Sequence, residues 1–332
     1  MRTTLRRRQF TALGLAALGL FRVVPKARAA ATWRLATGYK AESFHTVNLT
    51  AMAAEVDAAT RGELRIAIHP NGMLVKLADM REAVQQGQVE AGETIMSSLA
   101  GEMPIAGVDS VPFVTASYAD ARRMWQVQRP LIARHFAVRG LVALYAVPWP
   151  PQGLYSTRPI IEIGDLAGSR MRTYNATTQR IATLAGATPV DIAMVDIGKA
   201  LTERRIDSMI TSAVTGVETR AWTHLRHYYD INAWFPKNIV FANAAAVQAL
   251  SPRVREALLA AAATAEARGW AASEAAAQAS VDELRRNGIK VEHASREVSV
   301  SLKRLGERFS LDWVRQVGAE ANDFFIPFFT RS

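Results

Sequence analysis

Residues 31–70 read as strand, helix and strand in that order, and this restricts the fold more than any other feature of the chain. Residues 31–37 and 64–70 each alternate sides with the period of two that a half-buried strand needs. Between them Ser43 can cap a helix carrying Val47, Leu49, Met52, Val56 and Ala59. Two strands joined through a helix pair in parallel, and the helix then covers one face of the sheet. The chain is therefore expected to be α/β. Helix, turn and short strand recur over residues 77–91, 117–146 and 197–212.

Residues 141–146 are apolar throughout, as a strand covered on both faces requires. They run into Val147-Pro148-Trp149-Pro150-Pro151-Gln152-Gly153. Prolines packed around a tryptophan argue against both helix and regular strand, so this run is expected to be a first crossing between two lobes. A return crossing is expected over residues 232–243, which turn at Pro236 and continue as an apolar strand. Ser251-Pro252 offers a capping serine with proline at the first helical position. The alanine-rich stretch behind it can run helical to Asn287, about 50 Å at 1.5 Å per residue, and touch both lobes. The Leu/Ile heptads of a coiled coil are missing. A strand at 288–291, a helix over 298–317 and a docked aromatic tail at 324–329 complete the expected order. We assign residues 31–150 with about 239–270 to lobe one, and 151–238 with about 271–332, C-terminal helices included, to lobe two.

Charge looks informative until its location is examined. The formal net charge is +10 over 332 residues. Residues 1–29 have a basic start, a short apolar run and Ala27-Arg28-Ala29 at the end, the layout of a secretory signal peptide. Arg7-Arg8-Gln9-Phe10 within it is a twin-arginine pattern. The segment holds seven basic residues and no acidic one, so the chain without it carries about +3. What remains gives no case for nucleic acid. The chain has no cysteine, which removes disulfides and thiolate chemistry.

Residues 166–190 concentrate the binding chemistry. Residues 169–174 read as a strand, Asn175, Thr177 or Thr178 can cap the helix that follows, Pro189 stops its continuation, and residues 189–194 read as a further strand. Arg172 sits at the strand end, where a guanidinium presents a rigid fork of donors suited to a carboxylate.

The same stretch resembles the DctP-type substrate-binding proteins of TRAP transporters. Gly168-Ser169-Arg170-Met171-Arg172 is similar to that family's G-x-x-x-R strand, and Ala185-Gly186-Ala187-Thr188-Pro189-Val190 to its L-G-A-x-P-V. Thr60-Arg61-Gly62-Glu63-Leu64, residues 82–91, and Val111-Pro112-Phe113 resemble further family motifs, so the resemblance covers essentially residues 31–330. It implies a two-lobed periplasmic-binding-protein fold, type II-like, with crossing hinge strands and a long helix spanning both lobes. It also implies that Arg172 pairs with the carboxylate of an organic acid, that the membrane subunits of a TRAP transporter are the partners, and that the protein works in the periplasm. A monomer is expected.

Around Arg172 the candidate ligand-binding residues are Trp149, Thr211, Ser212, Tyr39, Glu93, Thr94, Tyr174, Asn175, Phe235 and Asn238. Tyr39, Glu93 and Thr94 follow first-lobe strand ends, where ligands bind in open α/β sheets. Thr211 stands where many family members have asparagine, with Ser212 and Thr215 nearby. The second arginine that sugar-acid binders carry after the first crossing is missing. Aromatic residues take its neighbourhood, which favours an aromatic or apolar 2-oxo or 2-hydroxy acid.

Catalytic signatures are absent: no Gly-x-Gly-x-x-Gly, Walker loop, His-Glu-x-x-His or nucleophile-elbow serine occurs. His224 and His227 have helical spacing but no evident third ligand, so no metal and no cofactor is expected. The alternatives are a receptor for another transporter class or a signalling sensor, and an enzyme on the same two-lobed scaffold.

Overall fold

The computed structural model describes residues 30–330. The expected signal segment at 1–29 lies outside the described residues.

The first strand, β1 (Ala31–Thr37), is followed by α1 (Phe44–Thr60), β2 (Leu64–His69), α2 (Met80–Gln85) and β3 (Ala91–Ile95). Then come α3 (Tyr118–Ala137) and β4 (Leu141–Pro148). Beyond the first crossing lie β5 (Gln152–Ser156), β6 (Arg170–Thr173), α4 (Ala176–Leu184), β7 (Thr188–Asp191), α5 (Ile197–Thr202), β8 (Ser208–Ser212), α6 (Ala213–Glu218) and β9 (His227–Asp230). After the return come β10 (Lys237–Asn243), α7 (Ala244–Ala249), α8 (Pro252–Arg286), β11 (Lys290–His293), α9 (Arg296–Val317) and α10 (Glu320–Thr330).

These strands build two sheets, ordered β2-β1-β3-β10-β4 and β11-β9-β5-β8-β6-β7. The chain is thus a two-lobed α/β protein. β1 pairs in parallel with β2 and β3, as the strand–helix–strand pattern requires, while β10 enters antiparallel between β3 and β4. The lobes are joined where β4 leaves for β5 and β9 returns to β10. Those two segments hold each other: Trp149 N donates to Pro236 O at 2.8 Å, and Gln152 N and Trp234 O pair at 3.0 Å.

The long helix α8 bridges the lobes, packing on α1 and β4 of one and on α6 and β11 of the other. Its Ser251 cap accepts from Val254 N, as the sequence implies. Gly269 lets α8 cross β4 closely, since a Cβ there would lie 2.3 Å from Val147 Cγ2. α9 lies across both lobes, Trp313 Nε1 donating to Pro104 O at 3.0 Å and Asp312 pairing with Arg180 of α4 at 2.6 Å, while α10 packs on α3, where His135 Nε2 meets Glu320 at 2.9 Å. Phe324 and Phe328 are buried, spaced one helical turn apart on α10.

Two local expectations change. The first crossing is narrower than its prolines indicate, because β4 continues through Pro148 and β5 begins at Gln152. Only residues 149–151 lie outside regular strand. The strand expected from Pro189 to Met194 ends at Asp191, where the chain turns into a short 3-10 helix at Met194–Asp196. The aromatic tail is docked through Phe324 and Phe328, in a helix that accommodates Pro327.

Candidate functional site

The C-terminal ends of β1, β3, β6 and β8 and both crossings converge on one cavity between the lobes. Its volume is roughly 210 Å³. Tyr39, Leu77, Ile95 and Ser98 face it from the first lobe, and Trp149 and Pro236 from the crossings. Gln152, Arg172, Tyr174, Asp191, Met194 and Thr211 face it from the second.

Arg172 owes its place to β6. Arg170 and Arg172 lie on one face of β6, but Arg170 opens the strand exposed, in a 2.7 Å ion pair with Asp207, whereas Arg172, near its C-terminal end, reaches the cavity between the lobes and is 4% exposed. Its Nε donates to Ile192 O at 3.0 Å, and its guanidinium carbon lies 4.5 Å from the centre of the Tyr174 ring. Among the described residues it has no ion-pair partner, and its two terminal nitrogens donate to no protein group. Burial pulls its pKa from 12.5 down to about 10, against the opposing influence of Tyr174, Asp191 and Tyr39. The group therefore stays charged at neutral pH. A buried cation with an unused donor fork, held rigid at Nε, is set to receive a planar anion.

The cavity brings together five of the sequence candidates: Tyr39, Trp149, Arg172, Tyr174 and Thr211. Four others stand just behind the wall. Asn238 and Glu93 hydrogen-bond to each other and through Asn238 to Tyr39 and Trp149. Thr94 Oγ1 meets Ser98 Oγ at 3.0 Å, and Ser212 caps α6 through Thr215 N. The remaining two lie elsewhere. Asn175 caps α4 and reaches Ser97 Oγ across the lobes at 3.2 Å, beside a second cavity, and Phe235 packs edge-on against Tyr118. Sequence reasoning passed over Gln152, Asp191 and Ser98 as site residues. The loop after β7 carried the available signal, since a parallel strand beside the one bearing Arg172 must end at the same cleft.

The rims of the two lobes touch at α6, where Lys40 Nζ donates to Glu218 O at 3.3 Å. Burial there pushes the Glu218 carboxyl from 4.5 up to about 7. A carboxyl whose folded value exceeds its unfolded value weakens the folded state as pH rises between the two. Glu218→Gln removes that penalty. The Tm advantage of the variant should grow from about pH 5 to pH 7 and persist above; an advantage independent of pH would contradict the burial argument.

Among the described residues no group of three or more His, Cys, Asp or Glu side chains could hold a metal ion. No helix among them is long and apolar enough to cross a membrane.

Comparison with known proteins places this geometry. The chain is similar to the crystal structure of DctP7 of Bordetella pertussis, described as an extracytoplasmic solute receptor binding pyroglutamic acid: 36% identity, 91% of this chain and 100% of that one covered, TM-score 0.89. A TRAP solute-binding protein of an unidentified marine microbe, described as specific for pyroglutamate, matches at 35% identity, 90% and 99% coverage and TM-score 0.88. A curated solute-binding protein of Albidiferax ferrireducens is 24% identical over 172 residues, 51% of this chain and 50% of its own length, so the match spans about half of that relative. These are receptors, and their relationship to the chain argues for capture without chemistry. Residues 35–308 match the model of the DctP family, and the chain belongs to it: the bacterial extracellular solute-binding proteins, family 7.

Proposed function

We propose that this protein is a periplasmic receptor that captures pyroglutamate, or a compact acid of the same chemistry, by its carboxylate on Arg172, and presents it to the membrane subunits of a TRAP transporter. The observation that carries this reading is the buried guanidinium with both terminal nitrogens free inside a small aromatic-walled cavity. The two relatives at 35% and 36% identity described as pyroglutamate receptors support the ligand. Lobe closure then desolvates the ion pair, and the ligand stabilises the closed form by its differential affinity for it. In this reading the hinge lies at the crossings between β4 and β5 and between β9 and β10, and the receptor acts as a monomer.

The aromatic walls favour a second reading, an aromatic or apolar 2-oxo or 2-hydroxy acid. Tyr39 and Trp149 have ring centres 5.2 Å apart and both face the cavity, which would suit a flat apolar tail. A thermal-shift screen separates the readings. At a hundredfold excess over Kd, a ligand stabilises by about 2.7 kcal/mol. Pyroglutamate should give the largest shift, ahead of aromatic 2-oxo and 2-hydroxy acids, aliphatic dicarboxylates and sugar acids. A larger shift with an aromatic acid selects the second reading. Stabilisation by sugar acids alone would exclude both.

A further inference from the structure

The hydrogen-bond network behind the cavity has a direction. Asn238 Oδ1 accepts twice, from the Tyr39 hydroxyl at 3.0 Å and from Trp149 Nε1 at 2.9 Å. Asn238 Nδ2 donates to Glu93 Oε1 at 3.1 Å, and the other Glu93 oxygen accepts from Thr37 Oγ1 at 2.6 Å. All of these residues are buried. The amide cannot be reversed, because a carboxylate on one side only accepts and an indole N–H on the other only donates. Tyr39 therefore directs its hydrogen at Asn238 and offers the cavity only oxygen lone pairs.

Tyr174 is fixed in the same sense. Its hydroxyl donates to Gln152 Oε1 at 3.2 Å, and that amide is oriented by its own Nε2, which donates to Pro150 O at 3.0 Å. Asp191, also on the wall, is an acceptor whenever it is ionised. Tyr174, Asp191 and Tyr39 also each favour the charged form of Arg172. The site's cation thus sits among acceptors.

We propose that Glu93, acting through Asn238, sets this polarity, so that the cavity selects acids carrying an N–H or O–H donor beside the carboxylate and rejects isosteres with an acceptor there. The inference rests on Arg172 as the carboxylate clamp. A mismatched ligand would lose its water and leave wall oxygens facing its own lone pairs. Glu93 is a positioning residue, since it does not line the cavity.

Calorimetric titration of the ligand-free protein with two matched pairs tests this. Pyroglutamate is compared with 5-oxotetrahydrofuran-2-carboxylate, in which a ring oxygen replaces the N–H, and 3-phenyllactate with phenylpyruvate, in which a carbonyl replaces the O–H. Within whichever pair binds, the donor acid should bind about tenfold tighter or more. Tyr39→Phe removes the acceptor, and Glu93→Gln lets position 93 donate as well as accept, so both should lower the ratio. A packing role alone would weaken both acids of a pair alike and leave the ratio unchanged, which would overturn the role of Glu93. Equal affinities within a pair in the native protein would overturn the inference and leave the carboxylate clamp standing. Binding of none of the four acids would overturn the ligand reading and this inference with it.

Discussion

Arg172→Met is expected to abolish capture at ordinary ligand concentrations while leaving the empty protein at least as stable as before. Removing one partner of a buried, hydrogen-bonded charge pair costs roughly 2–5 kcal/mol, equivalent to about 30- to 5,000-fold in affinity. Much of that loss is the price of leaving a carboxylate desolvated with nothing opposite. In the empty protein the balance reverses. The guanidinium is buried, has one hydrogen bond at Nε and has no counter-ion among the described residues. Methionine would fill the same space without the desolvation penalty, so the Tm of the ligand-free variant should hold or rise. Arg172→Lys keeps the charge but not the fork, and should fall between the two in affinity. Isothermal titration and thermal melts of the three proteins check both halves. A variant that binds within about threefold of the native protein would remove Arg172 from the site.

The second large effect concerns stability. Lys237 begins β10 at the return crossing, and Asp109 closes a 3-10 helix at Pro104–Ser110. Both side chains are fully buried, 3.5 Å apart from Nζ to Oδ2. Burial pulls the lysine pKa down and pushes the aspartate up, with their mutual attraction opposing each shift. Asp109 also accepts from the Lys237 backbone N–H at 2.7 Å, so it fixes the first residue of the strand as well as its charge. Asp109→Ala would leave the ammonium with only Met124 Sδ, at 3.7 Å. The expected destabilisation is about 3–5 kcal/mol. The double variant Asp109→Leu with Lys237→Met removes both charges and should recover most of that loss. Urea midpoints compared at equal m-values measure this. A single variant within about 1 kcal/mol of the native protein would show that the pair is not an obligatory one.

Much of the architecture could be read from the chain because its signals are local. The strands at 31–37 and 64–69 and the Ser251-Pro252 helix start depend on neighbours in sequence and appear in the structure, and of the three capping candidates before α4 the structure uses Asn175. Misplaced boundaries arose where one residue type has two roles. Pro148 ends β4 and Pro327 sits inside α10, although prolines usually mark breaks; the turn-spaced pair Phe324 and Phe328 was the better guide to the tail. At the cleft, Arg172 was legible from its place near the C-terminal end of β6, where ligands bind in α/β sheets. The network through Glu93 and Asn238 could not be foreseen, because its partners are 145 residues apart and meet only when β10 inserts beside β3. Asn175 and Phe235 looked like wall residues from their positions along the chain. Packing instead turned the first to the second cavity and the second to Tyr118.

A crystal structure of the protein grown with pyroglutamate bears most directly on the whole picture. The acid's carboxylate should lie between the lobes with its oxygens about 2.7–2.9 Å from the terminal nitrogens of Arg172, the ring stacked among Tyr39, Trp149 and Tyr174. A ligand bound with its carboxylate turned away from Arg172, or held anywhere other than this cleft, would contradict it.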